Sequence, residues 1–420
     1  MTAPHQPERD RGQSPGDPKV AADRVVRLLQ AAGHTTYFAG GCVRDLVMGL
    51  VPKDYDVATS ATPDQVCALF HRTQRVGAQF GVVLVRMKGW SIEVATFRTD
   101  LDYADGRHPV AVAFSTPEQD AQRRDFTING MFHDPIGGQF IDYVGGRSDI
   151  AARLIRAIGE PDRRFSEDHL RLLRAIRFAS RLRFEIEPET WDAIGRHAGE
   201  IRRISPERIR MELDTILTNE HRADAAGLIN RSGLLGHLWA GAESLSPTFD
   251  SAIRRLAALP STSGFELSMA ALLGDMSTDA AVEALEALRC SNHTIATVRW
   301  LHAHQHDADD PTRLTLADIK RLRAHAMFPA LIDLWTARQS LTDFPTSGVL
   351  DVQQRAAAIQ ADAVAPPALV TGDDLKDMGL TPGPAFKRIL DALYELQLNE
   401  QIVARDVALA EARRLMEAMR

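Results

Sequence analysis

The 420-residue sequence lacks several features that would place it in a specialised class. It has only three cysteines, Cys42, Cys67 and Cys290, whose wide spacing argues against a disulfide framework or a metal knuckle. No apolar run approaches the ~18 residues of a membrane span, and residues 1–19 lack the apolar core of a signal peptide. We therefore expect a protein of the reducing cytoplasm, with no membrane contact and with residues 1–19 as a disordered arm.

A basic excess is also lacking, because the formal net charge is −7 at pH 7. Nucleic-acid-binding domains usually carry excess positive charge, so this total argues weakly against a nucleic-acid partner. The charge is unevenly distributed, however. Residues 153–183 contain nine arginines and four acidic residues, a local net charge of +5. Such a concentration of positive charge is compatible with an RNA partner even in an acidic chain.

The order of predicted elements divides the chain into a mixed α/β part and a helical part, which makes the fold class α+β. The sequence predicts an α/β domain spanning 20–146. Its predicted elements are a helix over 20–32, strands over 35–39 and 54–59, a capped helix over 62–70 and a hairpin over 82–97. Residues 98–121 have little periodicity and predict a long loop. Helices over 166–181, 188–198 and 205–217 follow. We expect helical domains over 147–220, 221–358 and 366–420.

The most informative stretch combines Gly40-Gly41-Cys42-Val43-Arg44-Asp45 with Asp54-Tyr55-Asp56. A strand that ends in two glycines lets backbone amides approach a phosphate, and the following helix directs its positive end to the same place. Arg44 could clamp that phosphate. Asp54 and Asp56 are two residues apart on a predicted strand, so their carboxylates point the same way. Two convergent carboxylates beside a phosphate suit two Mg²⁺ ions.

Two further groups of residues could complete this site. Glu93, on the neighbouring hairpin strand, is a candidate third carboxylate, and a lone charge on an open sheet face is the alternative. Arg124 could bind a triphosphate or ribose oxygen. Asp125 and Asn129 lie four residues apart and would share a face of a presumed helix.

A second strong stretch runs from Glu167 to Arg177, where polar residues recur every three positions opposite an apolar stripe. A carboxylate at Asp168 can accept from the exocyclic amino group of cytosine or adenine, and a guanidinium at Arg171 can donate to the adjacent ring nitrogen. Uracil and guanine reverse that order, and each buried unpaired group costs ~1–3 kcal/mol. One Asp–Arg pair could therefore select CTP and ATP without a template. Arg174 and Arg177 would lie nearer the phosphates.

These motifs resemble the class II branch of the DNA-polymerase-β-like nucleotidyltransferases, which contains bacterial CCA-adding enzymes, CC-adding and A-adding enzymes, and poly(A) polymerases. The resemblance covers residues 37–217. It implies a catalytic head followed by helical neck, body and tail, with Asp54 and Asp56 holding magnesium. The residues that it implies bind the nucleotide are Gly41, Arg44, Arg124, Asp168, Arg171, Arg174 and Arg177. It further implies that Ser205–Leu213 buttresses the neck and that residues 98–121 form a flexible loop that helps to switch from C to A addition.

Two segments of the helical part bear on function. The stretch from Ala270 to Asp275 resembles a degenerate His-Asp phosphohydrolase signature, with Gly274 where a histidine would ligate a metal. Phosphohydrolase activity is therefore not expected. The histidines at 302, 304 and 306 are interpreted as a solvated helix end. Glycine turns over 371–384 resemble the tails of this family and could meet RNA phosphates.

The sequence favours an enzyme that adds C, A or both to the 3′ end of tRNA, with ATP and CTP as substrates and no obligate protein partner. A poly(A) polymerase shares every catalytic motif, but residues 351–420 have a net charge of −3, which favours a compact tRNA over arbitrary RNA ends. CC-only and A-only addition stay open. A catalytically silent RNA-binding protein and a small-molecule nucleotidyltransferase are less favoured, because the carboxylate pair is intact and the helical part is long.

Overall fold

The computed structural model describes residues 17–76, 81–103, 109–340 and 347–418. Residues 1–16 of the predicted arm lie outside this description, and Pro18 and Lys19 belong to the first helix instead of the arm. The helices are α1 (Pro18–Ala31), α2 (Gly41–Val47), α3 (Pro63–Leu69), α4 (Pro117–Gln122), α5 (Gly146–Ala152), α6 (Pro161–Glu167), α7 (Arg171–Leu182), α8 (Pro188–His197), α9 (Pro206–Leu217), α10 (Arg222–Arg231), α11 (Phe249–Ala258), α12 (Phe265–Leu272), α13 (Thr278–Ala287), α14 (Asn292–His304), α15 (Leu316–Ala324), α16 (Phe328–Gln339), α17 (Ser347–Ala358), α18 (Gly372–Asp377), α19 (Pro384–Leu398) and α20 (Arg405–Ala418).

The strands form one large sheet and two small ones. They are β1 (Thr36–Ala39), β2 (Asp56–Thr59), β3 (Thr73–Arg75), β4 (Val82–Met87), β5 (Trp90–Thr96), β6 (Arg98–Tyr103), β7 (Pro109–Phe114), β8 (Phe132–Asp134), β9 (Gln139–Ile141), β10 (Leu154–Ile155) and β11 (Glu185–Ile186). The large sheet has the order β3-β4-β5-β2-β1-β8-β9. Its β2–β5 pair is parallel and its other pairs are antiparallel. The predicted hairpin, β4 with β5, is confirmed.

Helix α1 covers one face of the large sheet. Its N-terminus is capped by the Asp17 side chain, which accepts from the Lys19 amide, and Pro18 occupies the first turn. Its apolar stripe packs with Phe38, Val57 and Val94 in one core cluster. The members of the stripe are Ala21, Ala22, Val25, Val26 and Leu29. This burial holds β1 and β2 in place, and these strands flank the Gly40 turn and Asp56 of the predicted catalytic motif.

The described residues of 98–121 form two strands and the start of a helix, so the prediction of a long loop is wrong. Strands β6 and β7 pair antiparallel, with Arg98 opposite Phe114, and α4 follows. The stretch from Pro109 to Phe114 alternates in side-chain size, as a strand does, but the surrounding Asp, Gly and Pro residues suggest a loop. The Thr116 side chain then caps α4 in a capping box with Gln119.

The chain divides into two compact units. One comprises residues up to Ile216 together with Leu228–Glu243, and the other comprises Leu217–Gly227 and the residues from Ser244 onward. The first contains the large sheet and the second is helical, so the predicted α+β class is confirmed. Within the second unit, α18, α19 and α20 share a small apolar core around Leu375, Ile389 and Ala412. In the described part of the chain, no helix combines the length and apolarity needed to span a membrane.

Candidate active site

The strand–turn–helix at the centre of the site forms as predicted. β1 ends at Ala39 and α2 begins at Gly41. Between them Gly40 has φ +74°, in the left-handed region that favours glycine. A Cβ on Gly40 would lie 3.2 Å from Nη1 of Arg124, so a larger residue would also displace that guanidinium. The glycine pair therefore allows the turn and the close approach of an arginine.

Three carboxylates gather at the edge of β2 and β5. Asp56 is the first residue of β2, and the parallel register that pairs Val57 with Val94 brings Glu93 beside Asp56. Asp54 lies in the loop before β2, so its predicted place on the strand is wrong. Pairing with β1 ends at Asp56, where β1 gives way to the glycine turn. Asp54 therefore reaches the site from a loop instead of a ladder position.

The electrostatics of this edge favour a bound cation. Asp56 is open to solvent on one side, yet its pKa is raised to about 6. Partial desolvation by the surrounding protein is the largest cause, the negative charges of Glu93 and Asp54 contribute to the rise, and Arg124 opposes it. A divalent cation would relieve this repulsion between carboxylates. Among the residues described, however, no group of three His, Cys, Asp or Glu side chains is arranged so that it could hold a metal ion by itself.

The side chain of Arg44 is buried and hydrogen-bonded to neighbouring side chains. Its Nε and Nη2 donate to Oδ1 of Asp45 at 2.9 and 2.7 Å, and its Nη1 donates to Oδ1 of Asn129 at 2.9 Å. The bond to Asn129 connects helix α2 to the segment that follows α4. The predicted clamp is thus held in a fixed orientation before any ligand arrives.

Sequence inspection missed the role of Asp120. This carboxylate is 1% exposed and accepts from Arg123 through Nε and Nη2 at 2.9 and 2.7 Å. Its other oxygen accepts from Nη2 and Nε of Arg124 at 2.9 and 3.2 Å. The signal was present in the sequence, because Asp120 precedes the two arginines by three and four residues, which is helical spacing. Asp120 fixes the arginine that borders Gly40.

Asp125 and Asn129 meet as predicted, but not on an α-helix. Residues Thr127–Asn129 form a single 3₁₀ turn, and Nδ2 of Asn129 donates to Oδ1 of Asp125 at 3.2 Å. Oδ2 of Asp125 accepts from Nη2 of Arg174 at 2.6 Å. Burial opposes ionisation of Asp125, but Arg174 outweighs it and lowers the pKa of this carboxyl to about 2. A chain of contacts therefore connects Arg44, Asn129, Asp125 and Arg174.

The predicted single helix over 166–181 is broken in the structure. Helix α6 ends at Glu167 and α7 begins at Arg171, because Asp168 leaves the helical conformation with φ −150° and ψ 104°. Its Oδ1 accepts from the Leu170 amide at 3.1 Å, a local bond that competes with helix continuation. Asp168 thus lies at a bend that presents its carboxylate.

The structure does not make Asp168 and Arg171 a direct ion pair. In the described chain, Asp168 is held by Arg208 of α9, whose Nη2 lies 2.8 Å from Oδ2. Nη1 of Arg171 instead donates to Oε2 of Glu167 at 2.7 Å and to the Arg164 carbonyl at 2.7 Å. Each of the two base-selecting candidates therefore has its own partner that orients it.

The remaining ridge arginines line the same region. Side chains of Arg174 and Arg177 are 32% and 16% exposed, so both reach solvent. Nε of Arg177 lies 3.0 Å from Oε2 of Glu212, and Nη1 of Arg174 lies 3.7 Å from Oε1 of the same carboxylate. Glu212, on α9, was not singled out as a site residue from the sequence. It contacts both arginines from the segment that the resemblance implies buttresses the neck.

In the second unit, the segment predicted to be a degenerate His-Asp signature binds an arginine. The Arg255 guanidinium is buried and donates to both oxygens of Asp275 at 3.0 and 2.6 Å. A Cβ on Gly274 would lie 3.1 Å from Oε1 of Gln305. His302 is buried and hydrogen-bonded to Thr278, so its interpretation as a solvated residue is wrong, whereas the side chain of His306 is 61% exposed.

The chain is similar to known proteins over nearly its whole length. A family model described as "Poly A polymerase head domain" matches residues 36–156, and one described as "Probable RNA and SrmB- binding site of polymerase A" matches residues 183–245. A CCA-adding enzyme of Geobacillus thermodenitrificans is 35% identical over 387 residues, covering 90% of this chain and 92% of that protein. A CCA-adding enzyme of Lactiplantibacillus plantarum is 33% identical over 413 residues, covering 94% and 96% respectively.

A solved structure agrees with these relatives. The crystal structure of the Bacillus stearothermophilus CCA-adding enzyme in complex with CTP superposes with a TM-score of 0.79 at 30% identity. The match covers 96% of this chain and 99% of that one. The similarity therefore extends through the helical second unit and is not confined to the catalytic motifs.

Proposed function

The chain belongs to the family of CCA-adding enzymes, and from this premise we propose that it adds cytidylate and adenylate to the 3′ end of tRNA without a nucleic-acid template. The observation that carries the proposal is the convergence of Asp54, Asp56 and Glu93 beside the Gly40 turn. Arg124 borders this turn, and Arg174 and Arg177 belong to the same compact unit. The relatives that span the whole chain are named as CCA-adding enzymes.

The reaction balances as a nucleotidyl transfer. The tRNA 3′-hydroxyl oxygen forms a bond to the α-phosphorus of CTP or ATP, and the bond from that phosphorus to the bridging oxygen breaks. Pyrophosphate leaves and the hydroxyl proton is lost to a base or solvent. The arginines supply fixed positive charge where negative charge accumulates on the phosphates, which lowers the barrier without reorganisation.

Members of this family use a divalent metal, and we propose Mg²⁺ held by Asp54 and Asp56, with Glu93 as a supporting carboxylate. The fit rests on the parallel register that brings Glu93 beside Asp56, and on the raised pKa of Asp56, which is caused by desolvation and then by the charges of Glu93 and Asp54. Two carboxylates do not fill the coordination shell of a metal ion, but Mg²⁺ commonly completes its coordination shell with water and substrate phosphate oxygens. When bound there, the metal would stabilise negative charge at the reacting phosphate.

We propose that the nucleotide is held by Gly41, Arg44, Arg124, Asp168, Arg171, Arg174 and Arg177. Asp168 and Arg171 select the base, because an acceptor next to a donor matches cytosine and adenine but opposes uracil and guanine. Arg174 and Arg177 reach solvent and contact the phosphates. Because Arg44 and Arg171 are buried, each presents mainly one edge of its guanidinium group to the nucleotide. We propose that the reaction takes place in the cytoplasm, where tRNA, CTP and ATP are available.

The alternative function is that of a poly(A) polymerase, which the name of the head-domain model mentions. The net charge of −3 over residues 351–420 favours a compact tRNA substrate instead.

The length of the product distinguishes CCA addition from poly(A) synthesis. The chain is incubated with Mg²⁺, labelled CTP and ATP, and tRNA ending at the discriminator base, at C or at CC. CCA addition gives three, two and one added nucleotides, whereas CC addition, A addition and poly(A) synthesis give different ladders.

A further inference from the structure

Three arginines of the proposed nucleotide site surround one aromatic ring. The guanidinium carbons of Arg177, Arg174 and Arg44 lie over the Phe178 ring at 4.6, 5.3 and 5.5 Å from its centroid. Arg44 belongs to α2, whereas Arg174, Arg177 and Phe178 belong to α7. The ring is therefore where cations from two distant segments meet.

The orientation of this ring is fixed by its surroundings. Phe178 is 7% exposed, and Phe126 packs against it edge-to-face, with ring centroids 5.8 Å apart and an interplanar angle of 76°. Phe126 is fully buried and follows Asp125, which binds Arg174. A fixed ring presents a fixed negative face, to which a guanidinium is attracted.

The cluster brings like charges together. Carboxylates hold one side of each arginine, as Asp45 does for Arg44, Asp125 for Arg174 and Glu212 for Arg177. Adding further carboxylates would cancel the charge that a polyphosphate needs. An aromatic face attracts each cation without neutralising it, so the guanidinium edges that the carboxylates leave free stay available to phosphate oxygens.

We propose that Phe178 is a positioning residue that holds Arg44, Arg174 and Arg177 for the triphosphate of the incoming nucleotide. This inference rests on the proposed function. The triphosphate is common to CTP and ATP, so Phe178 acts on both nucleotides equally and has no part in base selection. Arg124 has a separate ring, Phe132, at 5.2 Å. The basic side of the site is thus built on phenylalanine faces as well as on ion pairs.

Fluorination of the ring tests this with little change of shape. Phe178 is replaced at its codon by 4-fluoro-, 3,5-difluoro- and 3,4,5-trifluorophenylalanine, which withdraw charge progressively from the face. We expect the KM for CTP and for ATP to rise in step, by roughly tenfold for the trifluoro ring. The Ki of inorganic tripolyphosphate should rise in parallel, whereas kcat and the preference for CTP over UTP should stay within twofold.

The matched control is Phe140, whose ring carries one cation, Arg147, at 5.9 Å, outside the nucleotide site. The same fluorinated residues at position 140 should leave every constant unchanged. Phe178→Tyr should retain the wild-type KM, and Phe178→Leu should raise it.

A KM and a tripolyphosphate Ki that do not change with fluorination of residue 178, in folded protein, would overturn the inference. So would an effect on one nucleotide alone. Direct titration of tripolyphosphate keeps this test separate from the proposed function. A wild-type protein that binds tripolyphosphate more tightly than its fluorinated variants, yet adds nothing to tRNA, would contradict only the proposed function.

Discussion

Asp168 and Arg208 form a two-pronged ion pair, in which Nη2 of Arg208 lies 2.8 Å from Oδ2 of Asp168 and Nη1 lies 3.3 Å from Oδ1. Both carboxylate oxygens are fixed in one plane by a planar fork. The proposed base-selecting acceptor is therefore oriented by a residue of α9, some forty positions along the chain. In the proposed function, selection of the base depends on that orientation, because a carboxylate that rotates can no longer align with an exocyclic amino group.

Arg208→Gln is expected to weaken base selection without abolishing catalysis. The ratio of kcat/KM for CTP over UTP should fall by about tenfold, since a well-placed pair contributes roughly 1–3 kcal/mol of discrimination. Competition between labelled CTP and UTP measures this ratio. Glu207→Gln, at an exposed position of the same helix, is the control. An unchanged ratio in Arg208→Gln would show that Arg208 has no part in selecting the base.

Asp56→Asn is expected to reduce nucleotide addition by at least about 10²-fold, because a neutral amide is a poor ligand for a divalent cation. Circular dichroism should show an unchanged fold, since Asp56 is exposed at the end of its strand. Asp64→Asn, at an exposed position of α3, should keep full activity. Full activity in Asp56→Asn would exclude this carboxylate as a metal ligand.

Asp56 and Asp168 show how much of the site can be predicted from the sequence. The spacing of Gly40, Gly41 and Asp56 predicts the glycine turn and the strand beside it, because a turn and a strand are local structures, but it does not predict that Asp54 lies in the loop before that strand. The partners of Asp168 and Arg171 are not predictable in this way. Arg208 lies on another helix, and the bend at Asp168 depends on a side-chain bond to the Leu170 amide. Periodicity alone predicts one continuous helix over 166–181, without the bend.

Asp120→Ala is expected to destabilise the protein by about 3–5 kcal/mol, because it leaves two partly buried guanidinium groups without their carboxylate. Urea denaturation followed by circular dichroism measures the free energy of unfolding. Glu118→Ala removes an exposed carboxylate from the same helix and should change it by less than about 0.5 kcal/mol. Equal effects from the two substitutions would contradict a structural role for Asp120.

Asp125→Asn should lower stability in a pH-dependent manner. The folded state holds the pKa of Asp125 at about 2, below the ordinary value near 3.9. A lowered carboxyl pKa stabilises the fold above the unfolded pKa, here by about 2 kcal/mol, and this contribution disappears as the pH falls from about 4 towards 2. Denaturation curves of wild type and variant should therefore converge over that range.

The control for this prediction is Asp192→Asn, which changes an exposed carboxylate of α8. Its stability difference from wild type should be small at every pH. A difference between Asp125→Asn and wild type that stays constant from pH 7 to pH 2 would mean that the ion pair with Arg174 does not depress the pKa of Asp125.

Intact mass spectrometry of a tRNA that ends at its discriminator base tests the central proposal most directly. After incubation with the protein, Mg²⁺, CTP and ATP, the proposed function predicts a single product heavier by two cytidylates and one adenylate, with no further growth at longer times. An RNA of unchanged mass, or a ladder of adenylates that lengthens with time, would contradict it.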